Sequence, residues 1–210
     1  MRKRIVCYGD SNTWGYDAVT DGRFPEEVRW TGKLQELLGE EYCIIEEGLC
    51  GRTTVFEDPL NEGLNGLTYL YPCLMSHGPL DLLVIMLGTN DSKERFSATP
   101  KNIADGMKRL VKKAKEAEDA WRNEPQILVV APAPIEAPCE QSKVAGEMGK
   151  CVERSQGLAA EFELCAELLG CDFLDAAPYV TMNTIDYMHL DRESHSRFAH
   201  KLAEIIRRKV

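Results

Sequence analysis

Five short apolar runs, at 3–9, 42–46, 82–87, 126–131 and 172–175, constrain this chain more than any other feature. Each is rich in Val, Ile or Leu and largely lacks the polar–apolar alternation of a sheet with one wet face. Such a strand is covered on both sides, as parallel strands between helix layers are. Helical patterns lie between the runs. Leu34, Leu37 and Leu38 mark one, and Ile103, Met107, Leu110, Val111 and Ala114 mark a longer one. Leu158, Phe162, Cys165, Leu168 and Leu169 make a third, ending at Gly170 as a C-cap should. Phe198, Leu202, Ile205 and Ile206 make the last. Alternating strands and helices predict a three-layer α/β/α sandwich around a five-stranded parallel sheet.

The 210 residues suit one domain, 1–210, with a sizeable core and neither repeat nor linker. Two stretches are loop-rich. One is 52–66; the other is 131–150, with Pro132, Pro134, Pro138, Gly146 and Gly149. A long Pro/Gly-rich segment after a strand is either a lid or interaction surface, or a plain connection.

A net charge of -9 argues against a general polyanion binder, because neutralising phosphates takes clustered Lys and Arg. The basic groups Arg2-Lys3-Arg4 and Arg207-Arg208-Lys209 read as solvated ends. No nucleic-acid partner is expected. No run approaches the roughly 18 apolar residues that span a bilayer, so no membrane is expected either. Arg4 leads straight into the first strand with no signal-peptide pattern, which points to the cytoplasm. The eight cysteines (7, 43, 50, 73, 139, 151, 165 and 171) include no C-x-x-C pair and read as reduced, mostly buried thiols. No Cys/His cluster has the usual zinc spacing. Neither metal nor cofactor is expected.

Four polar blocks follow predicted strands or precede the last helix. They are Gly9-Asp10-Ser11, Glu47-Gly48-Leu49-Cys50-Gly51-Arg52-Thr53-Thr54, Leu87-Gly88-Thr89-Asn90-Asp91 and Asp186-Tyr187-Met188-His189. Singly, each has a structural explanation: Ser11 as a helix N-cap, Gly51 as a turn glycine, Asn90-Asp91 as a capping pair, Asp186 and His189 as a surface ion pair. Together they fall where open α/β sheets bind ligands. They also supply what serine acyl transfer needs. Ser11 is the candidate nucleophile, His189 the base, and Asp186, three residues earlier, the acceptor for the other ring nitrogen. The N–H groups of Ser11 and Gly51 and the Asn90 side-chain amide could meet a developing oxyanion. A competing reading of the last block pairs Asp191 or Glu193 with His195, and Gly48 competes with Gly51. Trp14, Tyr16, Phe24 and Trp30 could wall an acyl or aryl pocket, or belong to the core; Trp14 and Tyr16 are the substrate-binding candidates.

The chain resembles the SGNH hydrolase superfamily of GDSL-type esterases, in its flavodoxin-like fold and in four hallmark positions, Ser11, Gly51, Asn90 and His189, with Asp186 as acid. It is similar in particular to a bacterial arylesterase/acyltransferase subgroup. The shared stretches are Cys7-Tyr8-Gly9-Asp10-Ser11-Asn12-Thr13-Trp14-Gly15, Val28-Arg29-Trp30-Thr31-Gly32, Glu46-Glu47-Gly48-Leu49, Arg52-Thr53-Thr54, Asp58-Pro59, Leu64-Asn65-Gly66 and Ile85-Met86-Leu87-Gly88-Thr89-Asn90-Asp91. The resemblance favours Asp186/His189 as the acid and base, and Gly51, just before Arg52-Thr53-Thr54, as the glycine donor. It implies a serine esterase acting on small acyl or aryl esters, with acyl transfer to alcohols and a homo-oligomeric assembly. The 132–150 segment is shorter and more polar than in the best-known relatives.

Carbohydrate O-deacetylation by the same triad is the alternative. A flavodoxin-like phosphate-binding domain is disfavoured because the first loop lacks a Gly- or Ser/Thr-rich cradle. A phosphatase built on Asp10 would want Asp-x-Asp, and residue 12 is Asn. No G-x-S-x-G elbow of an α/β-hydrolase occurs.

Overall fold

The polypeptide alternates strand and helix along its length in the computed structural model, which describes residues 1–210. The order begins β1 (Lys3–Gly9), the one-turn helix α1 (Ser11–Trp14), the small hairpin β2 (Tyr16–Asp17) and β3 (Gly22–Arg23), and α2 (Trp30–Leu38). Then come β4 (Tyr42–Gly48), α3 (Gly66–His77), β5 (Leu82–Met86), α4 (Pro100–Glu116) and β6 (Ile127–Ala131). The short helices α5 (Ala145–Met148) and α6 (Val152–Gln156) precede α7 (Leu158–Leu169), β7 (Asp172–Asp175) and α8 (Arg192–Lys209).

The sheet runs β4-β1-β5-β6-β7, every neighbour parallel. Its central strands show why the runs lack alternation. In β1, Val6 and Tyr8 enter a core with Leu70, Leu74, Met107, Leu110 and Phe162, from α3, α4 and α7. Ile5 and Cys7 enter the opposite core with Trp30, Leu34, Phe198 and Leu202, from α2 and α8. Both faces of one strand are therefore dry, and each buried aliphatic side chain contributes about 1.5–3 kcal/mol against its exposed state. From β1 the chain first builds outward to β4 and then crosses to β5. That reversal opens a crevice at the C-terminal ends of the strands.

Local signals set the helix ends. Thr99 and Asn102 form a capping box at α4, whose first residue is Pro100. Gly170 closes α7 with φ 60°. Three expectations need correction. Helix α3 was not anticipated, because Pro72 sits inside it and its start abuts a loop-like stretch; Asn65 caps it by accepting from Leu67 N and Thr68 N. Leu168 is 72% exposed rather than core, and Ala166 takes the buried place on α7. The 131–150 segment is more than a plain connection, since Ile135, Cys139 and Met148 form a small core there with Cys151 and Met188. No helix is long and apolar enough to cross a membrane.

Candidate active site

Ser11 is the first residue of α1, directly beyond the end of β1. Asp10 caps that helix, its carboxylate accepting from Asn12 N at 3.0 Å. Burial pushes the Asp10 carboxyl up to about 6, against the lowering effects of the Asn12 N–H and of His189. Helix position one leaves the Ser11 N–H without an intrahelical acceptor.

His189 reaches Ser11 from the far end of the chain. Its Nε2 lies 2.8 Å from Ser11 Oγ, and its Nδ1 lies 2.8 Å from Asp186 Oδ2. Asp186 is fully buried. Its second oxygen, Oδ1, accepts from Asn183 Nδ2 at 2.8 Å and from the backbone N–H groups of Met188 and His189, each at 3.1 Å. Burial raises the Asp186 carboxyl, but its bond and charge interaction with His189, with the Asn183 and Met188 donors, more than offset this and hold it at about 2. An ionised acid at one ring nitrogen and a hydroxyl at the other form the geometry in which imidazole takes a serine proton and returns it.

Two asparagines fix the loop. Asn12 accepts from Leu190 N at 2.9 Å and donates to Met188 O at 3.2 Å, gripping the chain on both sides of His189. Asn183 accepts from Ile185 N and Asp186 N and donates to His189 O at 2.9 Å. Sequence reasoning gave neither a role in holding the loop. The Asn183-x-x-Asp186 spacing was a visible turn signal; the reach of Asn12 to residue 190 was not.

The competing pairing does not assemble. Asp191 caps α8 through Ser194 N at 2.6 Å, and Glu193 lies on the surface near Arg197. His195 is buried, accepts from Trp30 N at 3.2 Å through Nδ1, and stacks edge-on with Phe24 at 5.2 Å. Burial pulls its pKa down to about 4, that of a neutral packing residue.

Gly51 and Asn90 both line the cavity that Ser11 and His189 open into. Gly51 has φ 86°, a conformation that disfavours a side chain, and a Cβ there would meet Leu64 Cδ1 at 2.9 Å. Gly48 lies elsewhere: a Cβ on it would stand 2.2 Å from Trp14 N, so it permits β4 to pack under α1. Asn90 donates one N–H to Arg52 O at 3.2 Å, and an amide has a second. Arg52 is itself buried, with its guanidinium over Tyr8 at 4.2 Å and donating to Gly9 O at 2.9 Å and to Glu47 O. Asp91 accepts from Thr54 N at 2.9 Å and from its hydroxyl, and burial pushes its carboxyl up to about 7.

The cavity measures about 280 Å³. Both loop-rich segments supply walls: Asn61 and Leu64 from the first, Val144, Glu147 and Met148 from the second. Tyr16 lines it and packs on the His189 ring at 4.4 Å. Trp14 does not line it; Arg23 covers its ring at 4.8 Å. Trp30 and Phe24 are buried behind the site, so of the four aromatic candidates only Tyr16 meets the cavity. Cys50 also lines it, its thiol pushed up to about 11 by burial and by Asp10, which keeps it protonated near neutral pH. Lys93 and Glu147 pair across the wall at 2.7 Å, and Asp58 pairs with Arg95 at 3.0 Å beside them. That polar wall was not read from the sequence, because its members come from separate loops.

Solved structures share this architecture. The M. smegmatis aryl esterase is 38% identical, covering 99% of this chain and 100% of its own, with a TM-score of 0.91. The carbohydrate acetylesterase Est24 from Sinorhizobium meliloti is 38% identical, with 99% of both chains covered and a TM-score of 0.90. The lipase/acylhydrolase from Enterococcus faecalis, at 16% identity and a TM-score of 0.72, shares the fold. No curated protein sequence matches. The model of the GDSL-like lipase/acylhydrolase family matches residues 7–200, most of the chain, and the chain belongs to that family.

Proposed function

We propose that this carboxylic ester hydrolase works through an acyl-enzyme on Ser11, with residues 1–210 acting as one catalytic unit. The observation that carries the reading is the unbroken chain Ser11 Oγ–His189 Nε2 and His189 Nδ1–Asp186 Oδ2, each link 2.8 Å, opening onto the cavity. Ser11 attacks the ester carbonyl while His189 takes its proton. Asp186 holds the ring with Nδ1 protonated and offsets the charge that forms on it. The Ser11 and Gly51 N–H groups and the free Asn90 N–H donate to the developing oxyanion. His189 then gives the proton to the leaving alkoxide, and water repeats the sequence to release the acid.

A cavity of about 280 Å³ suits small acyl or aryl esters. One feature favours a second reading, carbohydrate O-deacetylation: Asn61, Lys93 and Glu147 give the wall hydrogen-bonding groups that a sugar could use. A panel of p-nitrophenyl esters of rising acyl length beside acetylated xylan and acetylated amino sugars separates the two. Turnover confined to the sugars favours deacetylation. Failure of all the esters, or Ser11→Ala with full turnover, contradicts the acyl-enzyme reading.

Acyl transfer and assembly belong to the same proposal. The homo-oligomer rests on the resemblance to the arylesterase/acyltransferase subgroup, and light scattering tests it; a monomer removes that part. A primary alcohol added to the ester assay tests transfer, and free acid as the only product would leave a plain hydrolase. Eight free thiols support a reducing, cytoplasmic setting.

A further inference from the structure

Away from the cavity, the end of β4 and the last two turns of α3 bring Glu47, Cys73 and His77 together. A carboxylate oxygen, the thiol sulfur and a ring nitrogen lie within 4.8 Å of one another. Acyl transfer uses none of them. Cys73 and His77 stand at i and i+4 of α3, so both project from one face of that helix. Glu47 faces them from β4, the edge strand of the sheet. His77 Nε2 already lies 2.6 Å from Glu47 Oε1, and the Tyr69 hydroxyl donates to the same oxygen at 3.5 Å. Cys73 is fully buried, while the Glu47 and His77 side chains keep 17% and 28% exposure. The sulfur is thus the buried member of the three, and its two partners reach water.

We propose that Glu47, Cys73 and His77 form a binding site for a zinc-class divalent cation, with its fourth position left to water. Sulfur, imidazole nitrogen and carboxylate oxygen together suit a borderline-soft ion; magnesium and calcium want oxygen donors alone. Tetrahedral zinc bonds place neighbouring donors roughly 3.3–3.8 Å apart. The three atoms come within that range by small side-chain rotations that open the His77–Glu47 contact. On binding, the aqua ion exchanges three waters for these donors. Cys73 gives its thiol proton to solvent, and His77 binds through Nε2 with its proton on Nδ1. The dication then balances the thiolate and the Glu47 carboxylate, with Arg52 the nearby cation of the protein. The ion would clip α3 to the sheet edge. The pattern escapes a linear search for zinc spacing because Cys73-x-x-x-His77 is meaningful only once residues 66–77 are helical.

Chelator-stripped protein, held under a non-thiol reductant without oxygen, is titrated with Co²⁺. The site predicts one equivalent bound, with a thiolate-to-cobalt charge-transfer band that Zn²⁺ abolishes. The band should be absent in Cys73→Ser, and His77→Gln should bind roughly tenfold or more weakly, the cost of one donor. Ester turnover by Cys73→Ser, expected to match the parent, shows that the fold survives. Should that variant not fold, the partly exposed His77 makes His77→Gln the deciding variant. No charge-transfer band in the parent protein, an undiminished band in folded Cys73→Ser, or a Co²⁺ affinity in folded His77→Gln equal to the parent's, overturns the site.

Discussion

Replacing Asp186 by Asn tests the triad through a constraint visible in the hydrogen bonds. Oδ1 of Asp186 accepts three donors: Asn183 Nδ2, Met188 N and His189 N. In Asp186→Asn the amide oxygen must stay on that side, since turning it would set an NH₂ against three N–H groups. The NH₂ therefore faces His189 Nδ1 and forces it to accept. The ring proton moves to Nε2, the nitrogen that must receive the Ser11 proton, and the base is blocked. A triad acid converted to its amide costs about 10⁴ in kcat, or about 5.5 kcal/mol of barrier. Stability should change little by comparison. Three of the four bonds persist, and the charge-assisted bond to His189, of about 1.5–3 kcal/mol, gives way to a neutral N–H···N one, so the loss is below that figure, at roughly 2–4 °C of Tm per kcal/mol for a chain this size. kcat on p-nitrophenyl acetate and a thermal melt, run beside Asp191→Asn as control, decide the matter. A folded Asp186→Asn keeping more than roughly a tenth of parental kcat, against the 10⁴ expected, would refute the reasoning. So would an equal loss in Asp191→Asn.

Asn90→Ala should lower kcat by roughly 10²–10³ with little change in fold. A loss confined to KM would make Asn90 a substrate-binding residue instead. Asp91 makes a prediction about stability and pH. Its folded pKa, about 7, lies above the ordinary aspartate value of 3.8, so the native state holds the proton more tightly than the unfolded chain does. That contribution is complete below the unfolded value and fades as pH rises through about 7. The urea midpoint should fall more from pH 5 to 8 in the parent than in Asp91→Asn. In that variant Asp10, raised to about 6, still lowers stability as pH rises, while His195, lowered from 6.5 to about 4, raises it with pH below 6.5. An unchanged slope in Asp91→Asn would assign the dependence to other groups.

What could be read in the sequence followed from interactions that are local or periodic. The five strands were legible because parallel strands with two dry faces become continuous apolar runs. Ser11, Asn90 and the Asp186–His189 block were legible because strand ends and a three-residue turn set their geometry locally. Helix α3 was hidden by Pro72, which costs the helix a hydrogen bond that burial of Leu70, Cys73 and Leu74 makes up. Trp14 and Trp30 could be read as pocket walls or as core, because sequence proximity to Ser11 says nothing about side-chain direction. Asn12, Lys93 and Glu147 owe their positions to contacts between distant segments, such as the 2.9 Å bond from Leu190 N to Asn12. No short-range pattern encodes such a contact.

The central claim is that Ser11 forms the acyl-enzyme, and covalent trapping tests it most directly. The protein is treated with a fluorophosphonate, digested and mapped by mass spectrometry, with Ser11→Ala in parallel. The account predicts one adduct, on the peptide carrying Ser11, forming as ester turnover disappears, and neither adduct nor turnover in Ser11→Ala. An adduct on another residue, or an unlabelled Ser11 in protein that has lost its activity to the reagent, would contradict it.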